Sequence, residues 1–252
     1  MSRVAVIPAR LQSTRLPGKL LLNETGKPLI QYVWEAAQRC DLLDDVIVAT
    51  DSLEIATVVQ QFGGRCELTG EHPSGTDRVA EAVRKALPKA EIIVNLQGDE
   101  PELEPAHIEQ LIAALDQNPT AKMATLATPL QSRSDIESPS CVKVVCDAAG
   151  RSLYFSRSVI PHPREDAIET LLEQPASPWL LHLGLYAYRR EALLQLTELP
   201  PSRLEQLEKL EQLRALEAGF SIQVTQVDSA AVGIDTPDDY ARFVARIHRQ
   251  AA

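Results

Sequence analysis

Short runs of β-branched residues alternate with helix-length segments along the first half of this 252-residue chain, and that rhythm restricts the fold more than any other feature. Residues 3–7 (RVAVI), 45–49 (DVIVA), 65–68 and 92–96 (IIVNL) read as strands. The last is apolar but for Asn95, suited to a strand covered on both faces. Between them, residues 28–40 carry Leu29, Val33, Ala36 and Ala37 at helical spacing, with Pro28 in the first turn. Asp51-Ser-Leu-Glu54 reads as a capping box, opening a helix that stops at Gly63-Gly64. Further helices are expected over 76–87 and from Pro105 to near Asn118. Such a repeat builds an α/β fold around a mostly parallel, doubly wound sheet. Ligands of these sheets lie at the carboxyl ends of the strands, so the polar residues just after each strand are the candidate site.

The second half is less regular. Residues 124–129, 142–146, 152–155 and 183–188 read as strands, and 161–178 as a long Pro-rich, acidic loop. Residues 204–218 read as one helix ended by Gly219, and its leucines, at every third position, wrap around it. A last helix opens at Thr236-Pro-Asp-Asp239. No linker separates these parts, so the expected organisation is one domain over 1–252 with an inserted subdomain around 150–215. Composition excludes several classes. With 25 Lys and Arg against 35 Asp and Glu, the net charge of -10 disfavours a nucleic-acid partner. The longest apolar run, 111–115, is far short of the ~20 residues a bilayer span requires, and the first ten residues do not read as a secretion signal. Four scattered cysteines (Cys40, Cys66, Cys141, Cys146) read as reduced thiols of a cytoplasmic protein.

Three loops carry chemistry. After the first strand, Arg10, Arg15 and Lys19 converge with Ser13, Thr14 and Gly18 in an otherwise acidic chain. Arg grips planar oxyanions in a fork and Lys adds a mobile point charge, so this loop suits a triphosphate, although it is not a Walker A loop. After the strand at 92–96, Asp99 stands where a hard cation could bridge it to phosphate, and Gln97 could read a polar ligand edge. Before the last helix, Asp235 is either a helix N-terminal acid or a second metal carboxylate paired with Asp99, while Asp238 and Asp239 read as acids that favour the helix dipole. His72, His107, His162 and His248 show no ligand spacing.

PARLQSTRLPGK (8–19), VATDS (48–52), SGTDR (74–78), VNLQGDEP (94–101), YFSR (154–157), HLGLYAY (182–188), LEQLR (210–214) and GIDTPDD (233–239) occur together in this order. Taken together they closely resemble the 3-deoxy-manno-octulosonate cytidylyltransferase (CMP-Kdo synthetase) family over essentially the whole chain. The resemblance implies a Rossmann-like nucleotidyltransferase fold, CTP and the sugar acid Kdo as substrates, Mg²⁺, a homodimer, and CMP-Kdo production for lipopolysaccharide assembly in the cytoplasm. It implies that Arg10 and Lys19 contact the triphosphate with Arg15 in support. Ala9, Ser74, Gly75 and Arg78 line the cytidine and ribose pocket, with Gln97 at the nucleotide–sugar junction. Asp99 and Asp235 match the family's Mg²⁺ carboxylates. Arg157, His182, Tyr186, Glu211 and Gln212 fall at positions expected around the sugar acid, with Glu208 an alternative to Glu211. Arg157 is the expected partner of the sugar carboxylate, and His182 either a general base or, preferably, a hydrogen-bonding ring. Three rivals stay open at this point: an enzyme activating 8-amino-Kdo or a sialic acid, a glycosyltransferase, and a non-catalytic nucleotide-binding module. The glycosyltransferase is disfavoured because no Asp-x-Asp motif follows a strand.

Overall fold

The computed structural model describes residues 1–250. It divides into two compact units, Met1–Glu109 together with the chain from Ala231 on, and Gln110–Ala230. The second unit begins earlier and ends later than the 150–215 excursion expected above.

The first unit is built from β1 (Ser2–Ala9), α1 (Leu29–Gln38), β2 (Asp45–Thr50), α2 (Leu53–Gln61), β3 (Arg65–Leu68), α3 (Gly75–Ala86) and β4 (Ala90–Asn95). The strands lie in the order β3-β2-β1-β4, and every pair is parallel. Val4 to Ile7, Val46 to Val48 and Ile92 to Val94 are buried without alternation, as strands covered on both faces must be. The chain moves to one side of β1 for β2 and β3 and to the other for β4. That reversal opens a crevice at the carboxyl ends of β1 and β4. The C-terminal helix (Pro237–Gln250) also belongs to this unit. Its Tyr240, Phe243, Val244 and Ile247 recur at i, i+3, i+4 and i+7 and pack on Leu29 and Tyr32. The Tyr32 and Phe243 rings meet edge to face at 5.1 Å, and burying a ring of this size contributes roughly 2–3 kcal/mol.

Ser52, not Asp51, caps α2, its hydroxyl accepting the Ile55 amide at 3.3 Å. Asp51 is instead drawn to Arg78, 27 residues away, at 2.8 Å. A nearly buried guanidinium outcompetes a helix end for a carboxylate, because the unpaired charge would cost more.

After α4 (Pro105–Gln117), the second unit contains β5 (Met123–Pro129), α5 (Arg133–Glu137), β6 (Lys143–Cys146), β7 (Ser152–Ser156), α6 (Ile168–Leu172), β8 (Leu180–Arg189), α7 (Arg190–Leu196), α8 (Arg203–Glu208), α9 (Gln212–Glu217) and β9 (Ile222–Gln226). Its sheet is mixed: β5 pairs antiparallel with β8 and parallel with β9, and β6 pairs antiparallel with β7 and β8. The Pro-rich stretch is not all loop, because α6 packs Ile168, Leu171 and Leu172 against buried Trp179. Neither β9 nor the short helices α5 and α7 is legible in the sequence.

The single helix expected over 204–218 is a correction. Lys209 takes a left-handed conformation (φ 54°) and separates α8 from α9, at a local cost of roughly 1–2 kcal/mol. The break turns Leu207 outward, 70% exposed, while Leu210 and Leu213 are buried. A ring of leucines on one straight helix would need apolar cover on every side. Two short helices bury part of that ring, and Arg214 joins them by a bidentate pair with Glu205 at 2.8 and 2.5 Å.

The four cysteines are free thiols. Burial pushes Cys66 and Cys146 up to about 11, which leaves them protonated and unreactive.

Candidate active site

The loop after β1 is closed by the Gly18 amide on Leu11 O (3.3 Å), with Gly18 in the left-handed region at φ 65°. A 3-10 turn at Lys19–Leu21 follows and aims Lys19 back across the end of the sheet. Its Nζ donates to Asp99 Oδ2 at 2.5 Å, Asp235 Oδ1 at 3.0 Å and the Ile234 carbonyl at 2.9 Å. Arg15 pairs with the other oxygen of Asp235 at 2.9 Å. The two acids that sequence spacing could not bring together therefore meet on one ammonium, helped by an Ile234 amide bond to Asp99 O at 2.9 Å. Asp235 thus faces Lys19 and Arg15 in the cavity and does not cap the last helix. The capping role falls to Asp239, whose carboxylate accepts from the Thr236 amide and hydroxyl at 2.9 and 2.8 Å.

Burial works against the Lys19 ammonium, yet the hydrogen bond and charge of Asp99, then of Asp235, raise its pKa above the ordinary lysine value. Glu100 goes the other way. Burial, then the Asp99 charge, push its carboxyl up to about 8, which favours its protonated form beside Asp99.

A cavity of about 1130 Å³ opens over this constellation. Ala9, Arg10, Arg15, Lys19, Ser74, Gly75, Arg78, Gln97, Asp99 and Asp235, all expected at a nucleotide site, line it. Arg10 is exposed in the cavity and has no ion-pair partner among the described residues, so its charge is available to a ligand. Two expected contacts are engaged inside the protein. The Ser74 hydroxyl caps α3 and bonds Asp77 at 2.8 Å. Arg78 is held by Asp51, Thr69 (2.6 Å) and Gly70 O (3.3 Å). His72 and Glu54 also line the cavity; His72 stands two residues before Ser74, in the segment after a strand where ligands gather.

The five residues expected around a sugar acid lie in the second unit. On β8 the rings of His182 and Tyr186 are 5.4 Å apart, and Phe155 meets His182 edge to face at 4.9 Å. Thr125 Oγ1 is 3.0 Å from His182 Nε2 and 3.0 and 2.8 Å from the Leu183 and Leu185 carbonyls. Its one hydrogen goes to a carbonyl, so it accepts from Nε2–H, and Nδ1 remains an acceptor. Desolvation pushes the His182 pKa down to about 3, too weak for a general base at neutral pH. Burial first, then Tyr188 and Glu211, hold the Tyr186 phenol well above its usual range and therefore protonated. Gln212 is buried with its amide nitrogen unpaired. Arg157 differs from expectation: its guanidinium closes on the Glu208 carbonyl (2.7 Å) and the Pro139 carbonyl (2.8 Å), not outward as a free fork. Glu208 is occupied too, accepting from the Ser156 hydroxyl at 2.7 Å and the Arg157 amide at 2.9 Å. The break at Lys209 leaves Glu208 on α8 and Gln212 on α9.

The His182 environment predicts a pH effect. The folded protein keeps the ring neutral, whereas the unfolded chain protonates it below the ordinary value of 6.5. Its contribution is therefore complete above 6.5 and declines as pH falls toward 3. In urea titrations, His182→Gln should lose stability less steeply than the parent over that window, by up to about 1.4 kcal/mol per pH unit. Equal slopes would mean that His182 is protonated in the folded state.

A parallel sheet with a basic loop and two acids at its switch point defines a nucleotidyltransferase, and the cytidylyltransferase family profile matches residues 4–223. Two relatives, both 3-deoxy-manno-octulosonate cytidylyltransferases, cover nearly the whole chain. That of Syntrophotalea carbinolica is 48% identical over 98% of this chain and 99% of its own length. That of Geobacter sulfurreducens is 47% identical over 98% and 100%. A solved structure of CMP:2-keto-3-deoxy-manno-octonic acid synthetase complexed with CTP superposes with a TM-score of 0.91 at 41% identity, covering 99% of this chain and 100% of its own. The 4-diphosphocytidyl-2C-methyl-D-erythritol synthase of Anaerococcus prevotii shares the fold at a TM-score of 0.64 and 14% identity, covering 98% and 99%. The chain belongs to the 3-deoxy-manno-octulosonate cytidylyltransferase family.

Proposed function

We propose that this chain transfers CMP from CTP to the anomeric hydroxyl of 3-deoxy-D-manno-octulosonic acid, releasing pyrophosphate and forming CMP-Kdo. The observation that carries the reading is the meeting of Lys19, Asp99 and Asp235 beside the unpaired Arg10 in one cavity. The hydroxyl attacks the α-phosphorus and pyrophosphate departs in line, so the obstacle is anionic charge facing a weak nucleophile. Arg10 and Lys19 stabilise the charge that develops on the departing pyrophosphate.

The donor set fits Mg²⁺. Asp99, Asp235 and the Ile234 carbonyl surround one cationic group with hard oxygens. Among the described residues no cluster of three or more His, Cys, Asp or Glu could hold a metal without help. Mg²⁺ characteristically takes one or two carboxylates and completes its shell with substrate phosphates and water. Held by Asp99 and Asp235, Mg²⁺ would neutralise phosphate charge and acidify a bound hydroxyl. Lys19 now satisfies those same oxygens, so a nucleotide that draws Lys19 onto its phosphates leaves them available.

In the second unit, His182 Nδ1 suits a sugar hydroxyl, and the buried Gln212 amide has a donor to offer. Tyr186 and Glu211 are assigned to the sugar acid on the resemblance, while Arg157 positions the 138–141 and 208–209 segments around it. The same resemblance carries the homodimer, the cytoplasmic location and supply to lipopolysaccharide assembly. Among the described residues, no helix is long and apolar enough to cross a membrane.

The test is pyrophosphate release from CTP and Mg²⁺ with Kdo, 8-amino-Kdo and a sialic acid supplied separately, and an EDTA control. Release that needs both Kdo and metal supports the reading. CTP binding without release for any acid would support a binding module instead.

A further inference from the structure

Arg10, Lys19, Asp99 and Asp235 gather on the loops that follow β1 and β4 and precede the C-terminal helix, and they claim the phosphates. Away from them the polar lining of the cavity includes Glu54 on α2, Gln97 after β4 and, on the loop that leads into α3, His72, Ser74 and Arg78. Ser74 is engaged in capping, and Arg78 is tied to Asp51, Thr69 and Gly70. His72 is left with hydrogen-bonding capacity.

One of its nitrogens is already assigned. Nε2 bonds the Glu81 carboxylate on α3. Glu81 also pairs with Lys85 and accepts the Gly70 amide at 3.0 Å. Lys85 first, then His72 and Gly70, draw its carboxyl down to about 2, so Glu81 has no proton to give. Nε2 therefore carries the hydrogen, and in the neutral ring Nδ1 is an acceptor. Cytosine and uracil differ at two adjacent edge positions: cytosine presents an amino donor at C4 and an acceptor at N3, uracil a carbonyl acceptor at C4 and an N–H donor at N3. An acceptor fixed opposite the C4 substituent welcomes the amine of cytosine and opposes the carbonyl of uracil.

We propose that His72, held by Glu81, selects cytosine over uracil by accepting a hydrogen bond from the exocyclic amine at Nδ1. The proposal rests on the reading of this cavity as a CTP site. It gives Glu81 the part of a positioning residue that fixes the ring's tautomer.

The experiment compares kcat/KM for CTP and for UTP, with Kdo as acceptor, in the parent, His72→Phe, His72→Asn and Glu81→Gln. The parent prefers CTP. His72→Phe lowers the CTP:UTP ratio by at least about tenfold, chiefly through KM for CTP, and His72→Asn, which keeps an acceptor oxygen, retains most of the ratio. Glu81→Gln, whose amide can donate to Nε2 and let Nδ1 carry the hydrogen, also lowers the ratio. This second variant tests the idea even if His72→Phe does not fold, because a mere loss of stability lowers both substrates' rates together. An unchanged ratio in the folded variants overturns the proposal. A parent that releases no pyrophosphate from CTP overturns the functional reading itself, a result distinguishable from the first.

Discussion

Replacing Asp99 by Asn should lower kcat at least about a thousandfold, equivalent to roughly 4 kcal/mol of transition-state stabilisation. Asp99 holds the Lys19 ammonium at 2.5 Å and forms half of the acidic pair proposed to bind the metal. An amide of the same shape keeps the contact and loses the charge. Lys19 retains Asp235 and the Ile234 carbonyl, so the cost to folding is modest, roughly 2 kcal/mol. Catalysis and stability are thereby separable in steady-state pyrophosphate assays and thermal melts of the same preparations. Equal falls in kcat and kcat/KM would mark an interaction made in the transition state alone. Asp238→Asn removes an exposed acid at the start of the C-terminal helix and serves as the control, with kcat expected within about twofold of the parent because a solvated surface charge is screened. Near-normal turnover in Asp99→Asn would sink the role assigned to the acidic pair.

The second large effect concerns Lys143, whose side chain is fully buried at the start of β6. Its ammonium donates to the carbonyls of Ser138 (2.9 Å), Cys141 (2.5 Å) and Arg157 (2.7 Å). These three bonds tie the chain before β6 to the chain after β7, where Arg157 and Glu208 interlock. Lys143→Met preserves length and approximate volume but leaves three buried carbonyls without their donor. The expected loss is roughly 3–5 kcal/mol, since each such bond to a charged group is worth about 1.5–3 kcal/mol and some carbonyls regain water. For a chain of this size that lowers the melting temperature on the order of 10 °C. The surviving protein should show a larger rise in KM for the sugar acid than for CTP, because the loosened segments belong to the second unit. A melting temperature within about 2 °C of the parent would show that water replaces the ammonium at little cost.

Much of the first unit was legible because its signals are local. Val4 to Ile7 and Ile92 to Val94 announce buried parallel strands by composition, and the basic loop after the first and the acidic loop after the second mark the candidate site by charge. The ten residues expected at the nucleotide all line one cavity. The errors lie where a local signal met a distant competitor. Asp51 has the spacing of a cap, yet a buried arginine on another helix takes it. Residues 204–218 have the composition of one helix, yet packing rewards a left-handed turn at Lys209.

The sequence by itself determined the strand–helix rhythm, the parallel sheet it demands and the loops on which nucleotide chemistry would fall. These follow from side-chain shape and polarity over a few neighbouring residues, which act before any fold exists. Only the tertiary structure decided that Asp99 and Asp235 share Lys19, with Lys19 and Asp235 216 residues apart in sequence. It also decided that Lys143 is buried, and that Glu81 fixes His72. Those pairings depend on where the sheet carries each loop, and burial then makes each one obligatory, because a charge removed from water without its partner costs more than the fold can spare.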